Sequence, residues 1–182
     1  MIITIDGPPG SGKSTVARIL GRSLGMPIES VGMIFRKMAK DRGASLEEFG
    51  KIAENDERID RELDERTVNL ARASENIIID GRLAGVMLSR HGVRAFKVYI
   101  DAPLDVRAGR VAGRDGITPD EAKDAITHRE RSENARYIKF YGVRQGRSDV
   151  YDLAIDSNGR KPEEISARIE EEFVKWQRKS SR

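Results

Sequence analysis

Nine residues near the start of the chain, Gly7-Pro8-Pro9-Gly10-Ser11-Gly12-Lys13-Ser14-Thr15, have the types and spacing to hold a polyphosphate. The pattern is a glycine, four residues, then Gly-Lys-Ser. Glycines let backbone N–H groups curl around phosphate oxygens, and a helix opening at the lysine adds its positive end. Lys13 is expected to reach the β- and γ-phosphates of a nucleoside triphosphate, and the Ser14 hydroxyl to sit on Mg²⁺. A glycine turn that binds nothing is the competing explanation, and the flanks argue against it. Ile2-Ile3-Thr4-Ile5-Asp6 reads as a buried β-strand, while Val16, Ile19, Leu20 and Leu24 recur at helical spacing up to Gly25. Strand, glycine loop and helix is the setting in which this motif takes ATP with Mg²⁺.

A second group of candidates lies further along. Ile77-Ile78-Ile79 runs into Asp80-Gly81-Arg82. An acid ending an apolar strand can hold Mg²⁺ through water or accept a donor from a substrate, and Arg82 just beyond can neutralise a phosphate. The plainer alternative is a solvated strand end with a helix-capping acid. Asp101, followed at once by Pro103, is expected to cap a helix, and Asp6 to support the glycine loop. Arg107, Arg110 and Arg114 recur at intervals of three and four, and Arg129 and Arg136 at two turns, so each set shares a helical face. With Gly113-Arg114-Asp115-Gly116 as a hinge, residues from about Arg107 to Arg136 read as a lid folding arginines onto transferring phosphates. The alternative is a solvated surface paired with Glu130 and Glu133. Arg36 follows a short second strand and can hold an acceptor's phosphate. His91 and His128 are too isolated for a metal site, and Trp176 is expected in the core.

These residues need a frame. Strands are expected at Pro27-Ile28-Glu29, Ile77–Asp80, Phe96–Asp101 and Tyr151–Asp156, besides the first, with charged helical stretches between them. Ser45-Leu46-Glu47-Glu48 and Thr118-Pro119-Asp120-Glu121 read as helix starts. Ile59, Leu63 and Leu70 mark the seam of a long charged helix, and Ile165, Ile169, Phe173 and Trp176 one side of the closing helix. Lys179–Arg182 is a polar tail expected to fray. Alternation of this kind predicts an α/β fold: a parallel five-stranded sheet with helices on both faces, of the three-layer P-loop NTPase type, bearing a small arginine lid.

Composition narrows the class. The chain has 182 residues, 38% hydrophobic and 35% charged, enough for one domain with a real core. No apolar run reaches the ~20 residues of a membrane span. The chain enters the motif strand at once, so no signal peptide is expected. With no cysteine there is no thiol chemistry, and a cytoplasmic address suits the ATP loop. A net charge of +3 and 5% aromatic residues without a basic cluster give no footprint of nucleic-acid binding.

Together these pieces resemble a nucleoside monophosphate kinase, most closely the short archaeal-type cytidylate kinases. The matching segments are the glycine loop with its strand, Val31-Gly32 through Phe35-Arg36, Ile79-Asp80-Gly81-Arg82-Leu83-Ala84-Gly85, Arg129-Glu130 with Ser132-Glu133 and Arg136-Tyr137, and Tyr151–Asp156. The resemblance implies transfer of the ATP γ-phosphate to CMP or dCMP with Mg²⁺. It implies that Arg36, Asp80, Arg82, Arg129 and Arg136 line the CMP and phosphoryl path, that Arg110 and Arg114 belong to the lid, and that Lys13 acts in catalysis with Arg82, Arg110, Arg114 and Arg129. It also implies one domain over residues 1–182, with 30–74 as a monophosphate-binding helical segment and about 107–136 as the lid. A monomer acting on small molecules, without nucleic acid or membrane, is expected. Longer bacterial relatives carry an acid after Asp-Gly-Arg where this chain has Leu83, and Arg144 and Arg147 stand where acids are expected. Kinases of the same fold with adenylate, UMP or shikimate acceptors remain open, as does a nucleotide-dependent sensor without turnover.

Overall fold

The computed structural model describes residues 1–146 and 149–180. Five strands, β1 (Ile2–Asp6), β2 (Ile28–Ser30), β3 (Ile77–Gly81), β4 (Phe96–Asp101) and β5 (Leu153–Asp156), form one sheet in the order β2-β3-β1-β4-β5. Every pairing is parallel. The helices are α1 (Lys13–Leu24), α2 (Val31–Asp41), α3 (Leu46–Asn55), α4 (Glu57–Ala73), α5 (Ala84–Arg90), α6 (Leu104–Asp115), α7 (Pro119–Tyr141) and α8 (Pro162–Ser180). The α/β fold with a five-stranded parallel sheet is as expected.

Alternation along the strands builds two cores. On one face Ile3, Ile5, Ile78, Val98 and Ile100 meet Val16 and Leu20 of α1 and Ile169 and Phe173 of α8. On the other, Ile77 and Ile79 meet Val68 of α4 and Leu88 of α5. Successive β3 residues therefore belong to opposite layers, which is why this strand is apolar without a break. Trp176 packs against the first core from its edge. Smaller clusters of helix residues stand apart from the sheet. Phe35, Met38, Phe49, Ala53, Ile59 and Leu63 hold α2, α3 and α4 together, and Ala108, Val111, Ala122 and Ile126 hold α6 to α7.

Both expected capping boxes form, at Ser45 with Glu48 and at Thr118 with Glu121. Other expectations are corrected. Of the anticipated hinge Gly113-Arg114-Asp115-Gly116, the first three residues are helical and the break falls at Gly116, whose φ of 70° suits a glycine stop. Asp101 does not cap α6: its carboxylate accepts from the adjacent Ala102 N–H, and Pro103 holds the cap position. Of the polar tail, Ser181 and Arg182 lie outside the described residues, as does Arg147.

Asp6 supports a helix rather than the glycine loop. It is fully buried at the end of β1, accepts from Ala84 N–H at 3.0 Å and Gly85 N–H at 2.8 Å, and receives the Tyr151 hydroxyl at 3.3 Å. The residue before α5, Leu83, offers no side-chain cap, so this acid from the neighbouring strand takes that part. Burial pushes the Asp6 carboxyl up to about 6 despite these donors. Asp6→Ala leaves two buried amides unpaired while also removing the cost of burying the carboxylate. Urea denaturation should show a net loss of about 1–3 kcal/mol.

Candidate active site

Parallel α/β sheets leave a crevice beyond the carboxyl ends of their strands where strand order reverses, here on either side of β1. A cavity of about 620 Å³ lies there, lined by the glycine loop, the ends of β2 and β3, and residues of α2, α4, α6 and α7. The loop is shaped by close approach. A Cβ on Gly7 would lie 2.1 Å from the Ile100 carbonyl oxygen, and one on Gly10, whose φ is 78°, 2.6 Å from that of Arg107. No side chain caps the start of α1, so its first N–H groups face the loop's concavity.

Most of the expected site residues converge on this space. Pro9 through Thr15, Arg36, Asp80, Arg82, Arg110, Arg114, Arg129 and Arg136 all line it. Gly7 and Pro8 do not: they lie behind the wall, where the Gly7 carbonyl accepts from Arg82 at 2.9 Å and the Pro8 carbonyl from Lys13 at 3.3 Å. Arg107 is also turned away. It is buried, donating to the Pro9 and Ala102 carbonyls and pairing with Glu130 at 2.6 Å. Arg110 grips the loop and Ser157, reaching the Ser157 hydroxyl at 2.9 Å, whereas exposed Arg114 pairs with its neighbour Asp115.

Ser14 donates to Asp80 at 2.6 Å, and Ser30 reaches the same carboxylate oxygen at 3.4 Å. The other Asp80 oxygen is buried without a hydrogen-bond partner. This oxygen-only donor set fits Mg²⁺. Among the described residues no group of three His, Cys, Asp or Glu side chains could hold a metal, so such an ion needs further ligands from phosphate and water.

Positive charge is in excess around the loop. Burial, reinforced by the Arg82 charge, pushes the Lys13 ammonium down to about 7, with Asp80 and Glu133 only partly opposing it. Arg36 is held below its usual value by partial burial and by the charges of Arg129 and Arg114. Glu133 is the counterweight. It is buried between Arg82 at 3.0 Å and Arg129 at 2.8 Å. Burial alone would raise its carboxyl, but the Arg82, Arg129 and Arg136 guanidiniums outweigh that and hold it low. The arginines of α7 are thus both paired with acid, as one reading of the sequence had it, and turned to the cavity, as the other did.

Sequence reasoning missed the acids of α4. Asp60, Asp64 and Thr67 line the cavity on one helical face, at intervals of four and three. Arg136 lies 3.2 Å from Asp60, and Tyr141 donates to Asp64. Burial raises the carboxyl of Asp60 to about 6 and that of Asp64 to about 7. Their regular spacing beside the apolar seam at Ile59 and Leu63 was the available signal.

The sheet order, the glycine loop and the arginine-lined cavity define a small-molecule kinase of the P-loop class. The cytidylate kinase-like family matches residues 2–159, and the chain belongs to that family. It is 43% identical over 169 residues to a cytidylate kinase of Pyrococcus abyssi, covering 93% of this chain and 91% of that one. A cytidylate kinase of Methanobrevibacter smithii is 41% identical, with 93% and 96% covered. Among solved structures, a shikimate kinase from Bacteroides thetaiotaomicron superposes with a TM-score of 0.62 at 16% identity, covering 96% of this chain and 98% of that one, a likeness of fold alone.

Glu133→Gln removes the acid that separates Arg82 from Arg129. At neutral pH it should cost about 3–5 kcal/mol in urea denaturation. Because the folded-state value of Glu133 lies below the ordinary 4.5, its contribution is complete above that pH. The gap between variant and parent should therefore narrow as pH falls through the acid range.

Proposed function

We infer that this protein transfers the γ-phosphoryl group of ATP to CMP or dCMP, giving ADP and CDP or dCDP. What carries this reading is that the family match coincides with one cavity shared by the glycine loop, Lys13 and the guanidiniums of Arg36, Arg82 and Arg129.

In this account the loop amides and the start of α1 cradle the β- and γ-phosphates, and Lys13 leaves the Pro8 carbonyl to reach them. Ser14 and Asp80 would hold the Mg²⁺ that arrives with ATP, which supplies charge neutralisation on the β- and γ-phosphate oxygens. Arg36, Arg82 and Arg129 receive the acceptor's phosphate and bring it in line, and Arg136 contacts the acceptor farther along the cavity. A phosphate monoester has a second pKa of about 6 and is mostly dianionic at neutral pH, so no strong general base is required. One of its oxygens attacks the γ-phosphorus as the bond to the β–γ bridging oxygen breaks, and ADP leaves with that electron pair. The chief tasks left to the protein are alignment of two anions and exclusion of water.

The 30–74 segment and the lid at about 107–136 are assigned to closure. α2 and α3 meet α4 through an apolar cluster of their own, and α6 meets α7 through another, which supports rearrangement of these helices within one catalytic domain while Val68 of α4 stays packed on the sheet. Arg110 and Arg114 then act from the lid side. We place the reaction in the cytoplasm, with a single copy as the working unit and small molecules as its partners. No helix among the described residues is long and apolar enough to cross a membrane.

An ADP-release assay with Mg-ATP tests the acceptor. CMP and dCMP should outrun UMP, AMP and shikimate by more than about 10-fold in kcat/KM, the scale of one well-placed polar contact. A lead for AMP or shikimate would overturn the acceptor assignment. Lys13→Ala should lose roughly 100- to 1,000-fold in kcat while keeping its fold by circular dichroism.

A further inference from the structure

The wall of the cavity changes character along α7. Arg129, Glu133 and Arg136 follow one another toward its carboxyl end, about 10 Å from first to last at 1.5 Å per residue. Arg82, bound to the glycine loop at the Gly7 carbonyl, pairs with Glu133. Farther along α7, Arg136 pairs with Asp60 at 3.2 Å. Asp60 therefore sits at the end of the cavity farther from the glycine loop. If the acceptor is a nucleoside monophosphate, its phosphate belongs among Arg36, Arg82 and Arg129, and its base lies a sugar ring farther out, toward Asp60.

That end holds polar atoms with no partner. Asp60 is only 3% exposed and Arg136 only 5%. Asp60 Oδ2 has no hydrogen-bond partner, and neither do Arg136 Nε and Nη1. Nη1 lies 3.2 Å from Asp60 Oδ1, close enough for ion pairing but not placed for a hydrogen bond. Leaving such groups unpaired is costly in a folded chain, and a bound ligand that pairs them recovers the cost. The other polar groups nearby are already engaged: Asp64 by the Tyr141 hydroxyl, and Thr67 by the Leu63 carbonyl at 2.8 Å. Apolar walls come from Phe35, Leu63 and Leu83, with the Arg136 guanidinium 5.4 Å from the centre of the Phe35 ring.

We propose that Asp60 determines base specificity, its free carboxylate oxygen accepting a hydrogen bond from the exocyclic amino group of the acceptor's base while Arg136 donates to the adjacent ring nitrogen. This rests on the reading that the acceptor is CMP. An acceptor beside a donor complements the amino group and unprotonated N3 of cytosine. Uracil reverses both partners: its O4 would face the carboxylate and its N3–H the guanidinium. A buried site built for one pattern rejects the other because its own polar atoms then go unpaired.

The test compares kcat/KM for CMP, UMP and the CMP analogue with hydrogen in place of the 4-amino group, on the parent enzyme and on Asp60→Asn. The parent should prefer CMP over the amino-less analogue by about 30-fold or more. In Asp60→Asn the amide oxygen still accepts from the amino group, so a reduced preference over the amino-less analogue remains, but its NH2 can instead face uracil O4. The CMP-to-UMP ratio should therefore fall by about 10-fold or more, with the KM for ATP held. Equal losses on all three acceptors would assign Asp60 a structural role and overturn the proposal. So would a parent enzyme that handles CMP and its amino-less analogue alike, a result that needs no variant to fold. A parent enzyme that does not phosphorylate CMP at all would instead remove the acceptor assignment, and the proposal with it.

Discussion

Lys13, Arg36, Arg82 and Arg129 repel one another around a single cavity, and the fold has to keep them there before any anion arrives. Like charges gathered around one cavity oppose folding unless a counter-charge or water intervenes. The protein answers with one buried carboxylate, Glu133, set between Arg82 and Arg129, and with backbone carbonyls. Gly7 receives Arg82, Pro8 receives Lys13, and Gly10 and Ser11 receive Arg110. The glycine loop thus turns several of its carbonyls toward the site's own cations. The remaining imbalance falls on Lys13, whose ammonium is the easiest of these charges to give up.

The two halves of the cavity then divide the work by charge. Near the loop the wall is cationic and suited to phosphate; at the far end of α7 it pairs Arg136 with Asp60 among apolar side chains. Both halves are reached from one long helix, α7, whose register also fixes Arg129 and Glu133. A rotation of that helix would displace the residues of both halves together. Its amino-terminal end packs on α6 and its carboxyl end on α5 through Tyr137, so it joins these two helices.

Much of this was legible in the sequence where local rules hold. Phe96–Asp101 is a strand at those limits, and Ser45 and Thr118 cap helices as their spacing requires. The glycine loop sits where the strand and helix around it demanded. What failed had tertiary causes. Helix α5 went unread because it has only seven residues and takes its cap from Asp6, far away in sequence. Arg107 shares a helical face with Arg110 and Arg114, but the cavity runs along only the last turns of α6, and Arg107 lies under the loop. Gly113 points to open space, and a lone exposed glycine weakens a helix without ending it. Asp60 and Asp64 looked like solvated charges of a polar helix, since nothing local shows that the helix face beside them is a cavity wall.

Proton uptake on Mg-ATP binding, measured by isothermal titration calorimetry in buffers of different ionisation enthalpy, tests the cationic cavity most directly. With Lys13 near 7 in the free protein, it is largely neutral at about pH 8.5, and bound phosphate restores its charge. Uptake approaching one proton per nucleotide is expected there, falling toward zero at about pH 6 and absent in Lys13→Met. Binding at the higher pH with no proton taken up, or the same uptake in the variant, would contradict the account.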